Sequence, residues 1–263
     1  MQFLTSVLKD LIVSVVGIIL GGLGKIGYDR LIRHRRNRAF SNLLNFDKGE
    51  IVIIHSALYD RSREAYNYPS CDMVSARRFA NLFETAGKKE GPDFTIEPES
   101  RFLTLKGEVD PKDLGRNLIL LGGPKRNKVA LEVLKRSARQ RYDMDLDDAG
   151  ENRLYDSRTR NHLTSTRDDR NKPESTGDND NDESIGYDYG LIMSMKNPFR
   201  SDRGVLVVAG IHGPGTIGAA TYISDRGNLS NLSRRRGKDG IIQEVVCVRY
   251  IVKSDIIVEI SLV

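Results

Sequence analysis

The chain is poor in cysteine: Cys71 and Cys247 are the only two in 263 residues, far apart and without histidine or cysteine partners at metal-ligand spacing. That excludes a disulfide scaffold and a zinc site, and makes a reducing cytoplasm the expected compartment. Charge of a single sign is lacking as well. The 41 basic residues are nearly matched by 36 acidic ones, so where charges fall matters more than the net +5. No Ser-His-Asp or Cys-His spacing is recognisable, and no internal repeat is present. The acidic run DNDNDE lacks the glycine and distal glutamate of an EF-hand loop, so no metal is indicated. What remains is a length and a 39% hydrophobic content that allow one sizeable core.

Long uncharged runs are scarce, with one exception. From Leu11 to Gly24 the chain reads LIVSVVGIILGGLG, and its apolar character reaches out to Phe3 across Lys9 and Asp10. A bilayer span needs roughly 20 mainly apolar residues. Residues 1–40 are therefore expected to form a transmembrane helix followed by a basic collar. Arg30, Arg33, Arg35, Arg36 and Arg38 make that collar. The positive-inside rule puts it, and the domain after it, on the cytoplasmic side of the inner (cell) membrane in a single pass.

The arginines read as lipid-headgroup contacts, and direct nucleic-acid binding is not expected. A cleaved signal peptide fits poorly, because the basic residues follow the apolar stretch and no A-x-A-like site is present. A buried first helix of the globular domain is the other alternative. Ser14, Gly17, Gly21 and Gly24 fall on one helical stripe. Close backbone approach along it would let copies of the helix associate, giving a homo-oligomer.

Residues 46–263 read as one α/β domain. EIVIIHSAL (Glu50 to Leu58) has the form of a fully buried parallel strand. MVSARRFANLFETAG places Val74, Phe79, Leu82 and Phe83 near one helical face and closes at Gly87, a helix C-cap. DFTIEPES is a second strand. Leu118 to Leu121 is a third, broken by Gly122-Gly123-Pro124 before a helix over Lys128 to Gln140. Residues 143–188, rich in charge and poor in apolar anchors, are expected to be a flexible insertion, with His162 a solvated loop residue. Strands return at Tyr189 to Phe199 and Val205 to Ala209, and a hairpin turning at Lys253-Ser254-Asp255 ends the chain. Buried strands each followed by a helix predict a Rossmann-like, mostly parallel sheet with late antiparallel strands, preceded by one N-terminal transmembrane helix.

In such a sheet, ligands bind beyond the carboxyl ends of parallel strands, where the strand order reverses. Three strand ends carry unusual residues: His55-Ser56; Gly122-Gly123 with Asn127; and Gly210, His212, Gly213, Gly215 and Thr216. Neighbouring strands would bring these turns into one cleft. Glycines allow close backbone approach, and a following helix suits phosphate. Thr216 would cap that helix or bond a phosphate oxygen. The match to a dinucleotide fingerprint is poor, since GIHGPGTIGAA is out of register with G-x-G-x-x-G and no P-loop lysine follows. His55 and His212 are the candidate catalytic or ligand-contacting histidines, against a plain role of bonding loop carbonyls. Glu84, near the end of a helix, reads as a surface charge. The cofactor is unknown, with a nucleotide as the expected ligand.

An apolar amino-terminal segment, an arginine collar and an α/β domain with strand ends at His55, Gly122 and Gly210 resemble membrane effectors of prokaryotic antiviral systems. Their cytoplasmic domains are of the Rossmann-like CARF, SLOG or TIR-like kinds. The resemblance is one of architecture. It implies a sensor-effector that binds a nucleotide-type signal and clusters its helices to disrupt the membrane. It also implies membrane lipids as partners, and an activating protein such as a short Argonaute-type sensor. A membrane-tethered nucleotide or NAD hydrolase and a non-catalytic anchored scaffold are the other two readings.

Overall fold

The computed structural model describes residues 25–28, 30, 31, 34, 38, 41, 43, 49–60, 65–67, 69–137, 141–168, 185–235, 241–252 and 254–263. The expected membrane span, with Ser14, Gly17, Gly21 and Gly24, lies outside the described residues, as do Arg33, Arg35 and Arg36. Arg30 and Arg38 are helical. Among the described residues no helix is long and apolar enough to cross a membrane.

The first half of the domain runs β1 (Ile51–His55), β2 (Leu58–Asp60), β3 (Ala65–Asn67), α1 (Ser70–Thr85), β4 (Phe94–Pro98), β5 (Asn117–Leu121) and α2 (Lys128–Arg136). The second half runs β6 (Tyr142–Leu146), β7 (Asn152–Asp156), β8 (Asn161–Leu163), β9 (Ile185–Asn197), β10 (Arg200–Gly210), α3 (Gly213–Ser224), α4 (Arg226–Arg234), β11 (Ile242–Ile251) and β12 (Ile256–Leu262).

β1 and β5 are buried at every position because layers cover both faces of the sheet, which is why they read as unbroken apolar runs. α1 ends as its glycine predicts. Gly87 takes a φ of +85° and donates its amide to the Glu84 carbonyl, while Lys88 N donates to Phe83 O. The expected buried face was partly misplaced: Val74 is 42% exposed, whereas Asp72 and Ser75 are buried with Ala76, Phe79, Ala80 and Phe83. Those positions recur at the helical period, and the polar pair at its start is held by hydrogen bonds that apolar patterning does not register.

The seven strands lie in the order β12-β11-β9-β10-β5-β1-β4. β4, β1, β5 and β10 are mutually parallel, and β9 is antiparallel to both β10 and β11, so five of the seven run the same way. β12 returns antiparallel to β11 as the expected terminal hairpin. One face packs on α1, α3 and α4 through Phe79, Phe83, Ala219, Ile223 and Leu229. The other packs on α2 through Val129, Ala130, Val133 and Leu134. From β1 the chain passes to β4 on one side and then to β5 on the other. The order therefore reverses between β1 and β5.

The stretch expected to be a flexible insertion is in large part folded. β6, β7 and β8 form a three-stranded antiparallel flap, which turns inward Tyr142, Met144 and Leu154, all at most 2% exposed. Period-two burial at three positions anchors it, a signal too sparse to stand out among the charges around it. The flap is tied to the main sheet where Tyr142 N donates to Gln243 Oε1 at 2.9 Å. His162 is exposed as expected, but it sits on β8 with its ring 5.1 Å from that of Tyr155. Residues 169–184 lie outside the described set.

Candidate functional site

The adjacency of β1, β5 and β10 brings the three predicted turns to one end of the sheet. A cavity of about 310 Å³ opens there. Its floor includes Gly122, Gly123 and Gly210, and its walls are the first turns of α1 (Ser70, Cys71, Asp72) and of α3 (Gly213, Pro214, Thr216). His212 lines it, half-buried at the N-cap of α3. Lys125, Arg126 and Glu151 stand at its rim with Arg167 and Asp255.

The glycines are required by close packing. A Cβ on Gly122, whose φ is +91°, would lie 2.6 Å from Asp72 Oδ2 and 2.7 Å from Ser56 Oγ. On Gly123 it would lie 2.2 Å from Asn152 Nδ2. Asn152, on β7 of the flap, fastens three pieces together. Its Oδ1 accepts the Lys125 amide at 2.8 Å, and its Nδ2 donates to the carbonyls of Gly210 and Ile211 at 3.2 and 3.1 Å. The flap is thereby locked onto both glycine turns.

Several residues proposed as ligand contacts prove to hold the framework. His55 is buried, does not line the cavity, and donates from Nδ1 to the Ser56 carbonyl at 2.9 Å. Asn127 is fully buried and caps α2, accepting the Ala130 amide at 2.9 Å while Nδ2 donates to Leu121 O at 2.8 Å. Thr216 Oγ1 accepts the Gly210 amide at 2.9 Å. Ser56 is fully buried, with a hydroxyl that has no hydrogen-bond partner among the described residues. Gly215 does not line the cavity, and Glu84 is exposed on the last turn of α1. Small polar groups at a strand end serve backbone groups that the sheet and helix cannot pair, which sequence alone does not distinguish from ligand binding.

Sequence reasoning missed a row of buried carboxylates along this end. Asp72 Oδ2 accepts the Ser56 amide at 3.3 Å. Glu99, after β4, accepts the Lys128 amide at 2.6 Å and so caps α2 from outside. Asp188, on β9, is fully buried; its Oδ2 accepts the amides of His212 at 3.2 Å and Gly215 at 2.7 Å, and its Oδ1 accepts that of Tyr189 at 2.8 Å. The anion at the start of α3 is thus supplied by the protein itself. Lys128 lies 29 residues from its carboxylate, and His212 and Gly215 lie 24 and 27 from theirs, well beyond any capping-box spacing.

Burial sets the acidity of these groups. It raises Asp188 to about 6, opposed by the Gly215 amide and the charge of His212. It raises the Cys71 thiol to about 12, with Asp72 adding to the effect, so a nucleophilic thiolate is disfavoured. Glu99 rises from near 4.5 to about 7 for the same reason, against the pull of the Lys128 amide. The folded state therefore holds the Glu99 proton more tightly than the unfolded chain does. Its contribution to stability is full below pH 4.5 and is lost as pH rises through 7. Glu99→Gln is expected to remove that slope, worth about 3 kcal/mol across the window. Urea unfolding at a series of pH values checks this, and parallel profiles for the two proteins would exclude it.

Among the described residues, no group of three or more His, Cys, Asp or Glu could hold a metal ion. No protein-family model matches the chain, and a search of the curated proteins finds no match either.

Proposed function

We propose that the chain is a membrane-anchored sensor-effector. Its α/β domain binds a nucleotide-type signal, or an activating protein partner, and occupancy drives association of the amino-terminal segments. The cavity at the carboxyl ends of β5 and β10, beside the order reversal between β1 and β5, supports this reading best, since open α/β sheets take their ligands beyond the carboxyl ends of their strands near such a point. Its rim adds Arg126, whose guanidinium has no hydrogen bond or ion pair among the described residues. A tie between the domain core and the segment that precedes it supports the reading as well. Leu43 is fully buried in the core beside α1 and α3, and the Ser194 hydroxyl of β9 donates to its carbonyl. Antiviral defence beside a short Argonaute-type partner is the setting we propose, on the resemblance of architecture alone.

A ligand can shift association only if it prefers the assembled state. The full chain in dye-loaded vesicles is expected to release dye when a nucleotide that binds it is added, and to do so with rising oligomer size. Tight binding that changes neither leakage nor oligomer size would remove the effector half of the reading. One observation favours a hydrolase instead: His212 lines the cavity, its backbone amide is fixed by the Asp188 carboxylate at 3.2 Å, and its imidazole is of the type that serves as a general base. Under that reading His212→Ala abolishes turnover of a bound nucleotide and spares its binding.

A further inference from the structure

The cavity at the sheet end adjoins a second one. That second cavity, of about 670 Å³, lies along the flap, and the two share Glu151, Asn152, Arg167 and His212 as a common wall. Both fall within the range of small-molecule sites. Their unpaired charges are of opposite kinds.

At the sheet end, Lys125 is neutralised by Glu151, and Arg167 by Asp255. Asp72 is occupied by the Ser56 amide and the Cys71 thiol, and Asp188 by the amides of α3. Among the described residues Arg126 is left as the unpaired charge, beside the Ser70 and Cys71 amides that open α1 ahead of its first bonds, those of Asp72 and Met73 to the Pro69 carbonyl. A guanidinium next to such amides suits a phosphate. Along the flap, Arg153 lies 3.6 Å from Asp147, which also accepts the amides of Ala149 and Glu151 at 2.9 Å. There, among the described residues, the unpaired charge is the exposed carboxylate of Asp148, which lines the same cavity as the exposed ring of His162. A carboxylate accepts hydrogen bonds from ribose hydroxyls or a base amine, and an imidazole offers a flat face for stacking.

We infer that the two cavities are the halves of one nucleotide site, with the phosphate at Arg126 and the nucleoside against Asp148 and His162. The inference rests on the nucleotide reading above and adds an orientation to it. Asn152 and His212 stand at the waist, so the flap is part of the binding site and not an appendage to the sheet.

Titration calorimetry of the full chain with the four ribonucleoside 5′-monophosphates, their nucleosides and inorganic phosphate tests this. Arg126→Gln is expected to weaken the monophosphate that binds, and phosphate, at least tenfold, leaving the matching nucleoside unchanged. Asp148→Asn combined with His162→Ala is expected to weaken monophosphate and nucleoside and leave phosphate unchanged. All three side chains are exposed, so the variants should melt with the parent, and a thermal scan verifies it. A monophosphate that binds while each variant weakens all probes alike, or none, overturns the orientation and leaves the nucleotide reading standing. A chain that binds no monophosphate overturns both.

Discussion

Replacing Asp188 by alanine is expected to destabilise the domain by about 3–5 kcal/mol, because buried donors left without acceptors cost roughly 1–3 kcal/mol each. The amides of Tyr189, His212 and Gly215 all depend on this one carboxylate, which is itself fully buried. Losing a buried charge returns part of that cost, which keeps the expected loss below a simple sum. Asp188→Asn retains an acceptor at the mouth of α3 and should cost about 1–2 kcal/mol, since one hydrogen-bonding edge survives. Chemical unfolding of the two variants measures the difference. A loss under about 1 kcal/mol for the alanine variant would mean that the turn relaxes to satisfy its amides elsewhere. The carboxylate would then lose its place as the organiser of that turn.

The second large effect is expected at Gly190. A Cβ there would lie 2.3 Å from the Gly215 carbonyl oxygen and 2.9 Å from Ala219 Cβ, so α3 rests on β9 with nothing between them but backbone. Backbone cannot rotate away. Gly190→Ala should therefore cost about 3 kcal/mol, at the upper end of ordinary overpacking. Gly218 provides the comparison: its Cβ would meet Val248 Cγ2 at 2.2 Å, equally close, but there the neighbour is a side chain, which can shift by local repacking where backbone cannot. Gly218→Ala should cost about 1–2 kcal/mol for that reason. The same unfolding assay ranks them, and a larger loss at Gly218 would contradict the argument. Because α3 carries His212 and Gly213 into the cavity, Gly190→Ala should also weaken any ligand that binds there.

Much of the framework was legible because it follows from local pattern. The unbroken apolar runs at Ile51 and Leu118 gave away strands covered on both faces, and the glycines after β5 and β10 marked turns opening into helices. The flap was illegible for a physical reason. Three inward positions, Tyr142, Met144 and Leu154, hold it to the sheet, and between them lies a surface of charges that reads as disorder. The site was half legible: the glycine turns lie where expected, while His55, Asn127 and Thr216 turn out to be spent on backbone groups.

The sequence by itself determined the strands of the main sheet, the turns and helices that follow them, and the glycine positions where backbone must come close. Each is settled by residues within a few positions of one another, through periodicity and allowed dihedral angles. Only the tertiary structure decided which polar groups remain for a ligand. Asp188 meets Gly215 across 27 residues, Glu99 meets Lys128 across 29, and Asn152 reaches Gly210 across 58. A hydrogen bond between groups so distant in the chain depends on how the layers pack, and packing is a property of the whole domain.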